Sequence, residues 1–511
     1  TQSVKESSCS EEAMIDTFAL YRNAAKNPAD YAGLICNQNV VATTVALLQC
    51  NLRKKVVASA ALAALVALTV PTDSHLQMAT KEGMKTTQDV MSTYEKTALD
   101  LYTNALEILD NLALNPSMTY SVLTAEVVKR ALEAVTVLRS EEKYLVVALS
   151  LITRLQDLDG KKRFEKDLLS DRVVETCLFA LQTYSGARTI HFCCVLLLRA
   201  MQDAERKSTI LTESTVAKLV ELLTSQREDE EVCGDLLDVL VFCAEGDKKT
   251  LLQNKDVAVP TNEIIKKYYH SQSLVEKCLS LLSMLSSLGD LNIQQILSSM
   301  TDYPSSSNVQ RDALATLGCF LRANTKNAAV LLNLKGIPLC VRAVDRFFDD
   351  LAIQVNGLQV LSLLSQSDDC LSALVTSTAP EVSIRSIKRF GKEESVVMST
   401  MQLLSRCATV SSEFITNSSS LDYIIEVVLD WKEKDVILLN GCRLITLCAG
   451  DSRLGHGMID SGVLEILTRI LTKEKQDAKL VESSLVAIMT LTSIPAGRES
   501  MSKAALLDVF L

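Results

Sequence analysis

The chain has 511 residues, 48% of them hydrophobic but only 5% aromatic, with a positive mean hydropathy and a formal charge of −10. Its 17 glycines and 8 prolines are too few for a turn-rich all-β fold or for long disordered tracts. The acidic balance speaks against nucleic-acid binding through a basic stripe, and the Leu, Val, Ile and Ala content suits helices packed on several sides.

The first predicted helix is NQNVVATTVALLQ, with Asn37 as its cap. The run Val56 to Val70 (VVASAALAALVALTV) is membrane-like in composition. It is shorter than the about 20 residues a span requires and is read as a buried helix. Pro71 to Lys96 is expected to hold one elongated helix. From there a nine-residue apolar block dominates the chain. It starts at Ala60, Ala105, Ala148, Cys193, Leu236, Cys278, Ala313, Gly357, Thr400, Gly441 and Ser484, at intervals of 45, 43, 45, 43, 42, 35, 44, 43, 41 and 43 residues. Such a period belongs to stacked helical units, each unable to bury its apolar face alone. The prolines avoid every block, as they must where one inside a helix costs about 3 kcal/mol.

A second series lies between the blocks. STVAKLVELLTS carries Val216, Leu219, Val220 and Leu223 at helical spacing, with Ser214 as its cap. Leu332, Val375, Ile415 and Met458 open the junctions LNLKGIPLCV, VTSTAPEVSI, ITNSSSLDYI and MIDSGVLEIL, where Gly336 and Gly462 fit the left-handed turn that stops a helix. The rhythm breaks over 247–308, through VAVPTNEIIKKYYHSQ and TDYPSSSN. The expected organisation is therefore residues 1–246, an irregular 247–308 with a loop insertion and a bend, and 309–511.

NVQRDALATLGCFLRANTKNAAVLLNLKGIPLCV from Asn308 and MIDSGVLEILTRILTKEKQDAKLVESSLVAIMTL from Met458 resemble the armadillo repeat: a short first helix, a second opening on a G-[IV]-[PL]-x-L turn, and a longer third. The two-helix HEAT repeat stays open for the first half. The resemblance implies an all-α, right-handed α-solenoid of about 11 repeats. Armadillo proteins that grip extended peptides carry asparagines, and often tryptophans, along their third helices. Here Asn111 is the one match, and Trp431 lies elsewhere. That departure argues against an import-receptor or cadherin-tail type of groove and leaves Asn111 as the partner-binding candidate.

Catalytic signatures are absent: there is no P-loop, G-x-S-x-G or H-E-x-x-H. LGHGMIDSG lacks the spacing of a phosphate cradle and reads as a junction. Of the four histidines, His75, His191, His270 and His456, only His191 stands near thiols, Cys193 and Cys194, and all three read as packing rather than metal ligands. No metal or cofactor is expected. Fifteen cysteines, an odd count without C-x-x-C and mostly inside apolar blocks, point to free thiols in a reducing compartment. The charged runs SQREDEEVCGD, GKKRFEKD and SIRSIKRFGKEE read as solvated loops.

The expectation is a non-catalytic protein-interaction scaffold: a cytoplasmic subunit of a cytoskeletal, ciliary or organellar assembly, with protein partners, no nucleic acid and no membrane span. The alternative is a regulatory helper, such as a client chaperone or a small-GTPase exchange factor. No signal peptide is expected, and a presequence removed before Thr1 stays open. The apolar close KAALLDVFL leads to the expectation that a partner or further sequence covers Leu511.

Overall fold

The computed structural model describes residues 10–27, 31, 39–95, 97–245, 252, 257–285, 293–324, 326–411, 414–415, 418–431, 434–471 and 478–503. Pro28, Asn37, residues 247–251 and the closing stretch 504–511 lie outside them. Every described element is helical, and contacts divide the chain into two compact units, Thr1–Leu251 and Leu252–Leu511.

The apolar blocks become long helices. In the first unit, after α1 (Glu11–Ala24), they lie in α2 (Lys55–Thr69), α3 (Leu99–Ala113), α4 (Glu142–Leu158), α5 (Ala187–Ala200) and α6 (Glu230–Ala244). Each packs on the next in sequence, so α2, with α1 on one side and α3 on the other, buries Val57, Ala58, Ala61, Leu62, Leu65 and Leu68. That placement accounts for the membrane-like composition of Val56 to Val70. Among the described residues no single helix is long and apolar enough to cross a membrane. α1 extends the series one unit ahead of the blocks; its apolar residues Met14, Phe18 and Tyr21 are buried, but interspersed Asp and Arg hide the pattern.

The second unit repeats the arrangement with α7 (Gln272–Met284), α8 (Ser307–Ala323), α9 (Leu351–Ser365), α10 (Glu394–Cys407), α11 (Asp435–Cys448) and α12 (Ala478–Ser493), again packed in succession. A mid-length second helix lies against each long helix, as Gly336–Arg346 does on α9 and Ala379–Phe390 on α10. Gly357 lets α9 come this close, since a Cβ there would stand 2.2 Å from Val344 Cγ2. Between α7 and α8, where the block interval falls to 35, the one helix among the described residues is Ile293–Asp302. Short first helices occur elsewhere, including Ala204–Ile210, Asn327–Asn333 and Asp368–Thr376.

Prolines inside helices stand in first turns, where no amide bond is lost: Pro116, Pro260, Pro338, Pro380 and Pro495. Five sequence expectations require correction. The charged runs SIRSIKRFGKEE and SQREDEEVCGD are not simply loops, since 383–390 lie in the helix Ala379–Phe390 and 230–235 in α6. Pro71 to Lys96 is not one long helix: a 3-10 turn (Thr72–Ser74) and His75–Met78 precede Lys81–Tyr94. The chain breaks there because Thr80 caps the later helix by accepting from Gly83 N at 3.1 Å, and Gly83 passes close to Met78 O. The first second helix begins at Val40 with Asn39 at its cap position. Ser214 lies inside Glu213–Ser225, whose cap is Thr212, accepting from Thr215 N at 3.2 Å. Gly462 has the left-handed φ of +76°, but at the other junction Lys335 takes it, at +54°. Gly336 instead opens the helix, because a Cβ there would meet Leu331 Cδ2 at 2.5 Å.

Candidate partner-binding face

The seventh residue of each block falls on the same side of its long helix. In the first unit the row reads Val66, Asn111, Arg154, Arg199 and Phe242; in the second, Met284, Cys319, Leu363, Arg406, Leu447 and Thr490. All are half-buried except Leu447, which is more open. A row half-exposed along a stack of otherwise buried helices is a candidate surface on which each unit could present side chains to a ligand.

In the first unit Asn111, Arg154 and Arg199 are already engaged by the preceding long helix. Asn111 Nδ2 donates to Thr69 Oγ1 at 3.2 Å and to Val66 O at 3.4 Å. Arg154 Nη1 donates to Asp110 O at 2.9 Å and pairs with Asp110 Oδ2 at 2.8 Å. Arg199 reaches Thr153 O at 3.2 Å, Gln156 Oε1 at 2.9 Å and Asp157 Oδ1 at 2.6 Å. Phe242 is covered by Lys207, whose Nζ lies 4.1 Å from the ring centroid. Asn111, Arg154 and Arg199 differ in type but act alike: each donates to an exposed carbonyl of the preceding long helix.

Asp110 is the most perturbed carboxylate on this face. It is buried, and Ser150 Oγ lies 3.1 Å from both of its oxygens. Burial pushes its carboxyl up to about 6, outweighing the opposing pull of Arg154 and Ser150. Glu107, one turn earlier, is also raised by burial, with Arg188 opposing.

The second unit differs. Arg406 behaves like the first-unit arginines, donating to Ser365 O at 3.1 Å and Asp368 Oδ1 at 2.7 Å. Met284, Leu363 and Leu447, however, are apolar. Beyond them Val486 and Met489 on α12 are 44% and 70% exposed. This half of the row therefore offers apolar surface rather than hydrogen-bond donors.

The other singled-out residues serve the repeat. His191 Nδ1 lies 2.8 Å from Asp235 Oδ2, while Cys193 and Cys194 face away into the core, so the three do not converge. Among the described residues no group of His, Cys, Asp or Glu could hold a metal ion. The thirteen described cysteines are free thiols, twelve of them wholly or partly buried, and burial pushes Cys340, Cys407 and Cys448 up to about 12. Of the acidic run, Asp229 caps α6 through Val232 N at 3.2 Å, and Glu230 and Glu231 fill its first turn.

Sequence reasoning missed a second ladder, at the ends of the second helices. Tyr94 OH donates to Leu52 O (2.6 Å), Tyr184 OH to Arg139 O (2.8 Å), Gln226 Nε2 to Ser185 O (3.1 Å), Tyr303 OH to Tyr269 O (2.6 Å) and Trp431 Nε1 to Gly391 O (2.9 Å). Trp431 is thus a strut between neighbouring repeats. The signal was a polar-tipped side chain recurring at the ends of second helices, obscured because its chemical type changes.

Comparison with known proteins follows the same architecture. The family model described as the LRRK2 ARM repeat matches residues 235–505. A solved chain from work on a phosphorylation switch controlling the interaction between cadherin and beta-catenin is similar with a TM-score of 0.73, covering 91% of this chain and 94% of its own, at 14% identity. An engineered protein from a structural genomics consortium is 18% identical over 54% of this chain and 98% of its own, with a TM-score of 0.33. The first likeness is one of fold. No curated protein matches the sequence.

Proposed function

Because the chain belongs to the armadillo-repeat family described as the LRRK2 ARM repeat, we propose that it is a non-catalytic scaffold whose long-helix face binds protein partners. One observation carries this reading: in the second unit the row includes Met284, Leu363 and Leu447, with Val486 and Met489 nearby, apolar groups left in contact with water. Apolar side chains left partly exposed along one face at repeat spacing offer a surface for protein contacts. In a stable assembly they would be covered permanently, which supports a structural subunit. In the first unit, Asn111 spends its amide N–H groups on α2 and keeps Oδ1 as an acceptor for a partner. The free thiols on apolar faces support a reducing, cytoplasmic setting on the same footing.

The test is affinity capture of the tagged full chain from its native source, in parallel with Leu363→Asp and Leu447→Asp, quantified by mass spectrometry. A protein held in stoichiometric amount by the parent and lost from both variants supports the reading. An unchanged protein set, or a chain that always runs alone, overturns it.

A further inference from the structure

A cavity of about 510 Å³ opens in the second unit, away from the residues of the long-helix row. It lies between the helix Gly336–Arg346 and the turn joining Asp368–Thr376 to Ala379–Phe390. Leu332, Ile337 and Val341 give it an apolar wall, and Thr376 and Thr378 stand among the lining residues with their hydroxyls. Two cations, Lys335 and Arg342, complete the lining, and both are exposed. Neither side chain makes an ion pair or hydrogen bond among the described residues. Asp345 is paired with Arg385 and Asp349 with Arg389.

Lys335 holds a left-handed backbone, φ +54°, as Lys162 does, whereas Gly462 adopts that region without penalty.

From the unpaired cations and the apolar wall, we infer that this cavity docks an acidic protein segment. An apolar side chain seats against Leu332, Ile337 and Val341 while flanking carboxylates meet Lys335 and Arg342. Charge complementarity selects the sign of the partner and speeds its arrival, and the apolar wall selects a peptide over a bare anion. This surface is separate from the long-helix face, so the two readings stand or fall independently.

The test uses the full chain and a fluorescein-labelled peptide of alternating leucine and glutamate, read by anisotropy. Controls are the lysine-for-glutamate peptide and phosphatidylserine vesicles. The acidic peptide should bind, protect residues 332–342 and 373–378 from hydrogen exchange, and lose at least tenfold in affinity in Lys335→Gly and in Arg342→Gln. Lys335→Arg should retain it. Because Lys335→Gly removes backbone strain, its urea midpoint should be no lower than that of the parent, which separates lost binding from lost folding. Unchanged affinity in both loss variants, equal binding of the lysine peptide, tighter binding of the vesicles, or no binding by the parent would each overturn the proposal.

Discussion

Asp110 shows how one residue can be visible in the sequence and its role not. It sits in an apolar block, ALEILDNLA, beside the asparagine that drew attention, and folding buries it against Ser150 and Arg154. Its native pKa of about 6 lies above the ordinary 3.8, so the folded chain holds the proton more tightly than the unfolded one. The contribution is therefore fully present at low pH and is lost as pH rises through that interval. Relative to Asp110→Asn, the parent should gain stability when urea unfolding is moved from pH 7 to pH 4.5; a pH-independent difference would remove the assignment. Gln354 is a second residue the pattern did not reveal. Buried at the start of α9, it donates to Val344 O at 2.7 Å and Phe347 O at 3.0 Å, closing the end of the second helix, as Gln310 does for Met300 O and Tyr303 O. Gln354→Ala removes the side-chain donor from Val344 O in the interior, while Phe347 O keeps its bond from Asp350 N, and should cost about 1–3 kcal/mol, measured as a shift in the urea midpoint. A polar residue at the head of an apolar helix carries no sequence mark of the carbonyls it will meet.

At the scale of elements, the long helices were legible because burial on several sides leaves a block almost without polar interruptions. The second helices were legible where a glycine or proline announced them or, as in STVAKLVELLTS, where apolar residues fell at helical spacing. Boundaries failed where several small polar residues compete for one cap: Thr212 and Ser214 are both competent, and the Glu213 that follows Thr212 favours the earlier start. The strut ladder was invisible for a different reason, since tyrosine, glutamine and tryptophan do one job. Tyr184→Phe keeps the ring packing and removes only the bond to Arg139 O. Equilibrium denaturation should show a loss of about 1 kcal/mol. No loss would mean that water replaces the hydroxyl without penalty.

For the whole molecule, each long helix meets mainly the one before and the one after, so stability is a sum of near-neighbour terms. Leu149, fully buried in α4, tests this. Leu149→Ala should cost about 2–5 kcal/mol locally, and hydrogen exchange should rise across α3, α4 and α5 while α11 and α12 keep their protection. Uniform loss across the chain would refute the nearest-neighbour account. Period and composition made this architecture readable before any coordinates, whereas the partner face was not, because Asn111, Arg154 and Arg199 look like ligand-binding groups until their bonds to the preceding helix are seen.

Those bonds share a direction. Asn111 reaches back to Val66, Arg154 to Asp110, Tyr184 to Arg139, Arg199 to Thr153, Arg406 to Ser365 and Trp431 to Gly391. Along these rungs the later repeat brings the donor, and its acceptor has already been synthesised. On the ribosome these rungs can close one at a time against carbonyls already in place, although Tyr31 to Leu68 O and Lys207 to Phe242 O run the other way. Nascent chains stalled at successive lengths should gain protease resistance in steps of about one repeat, from the amino-terminal end forward; a single late step would contradict this order of assembly.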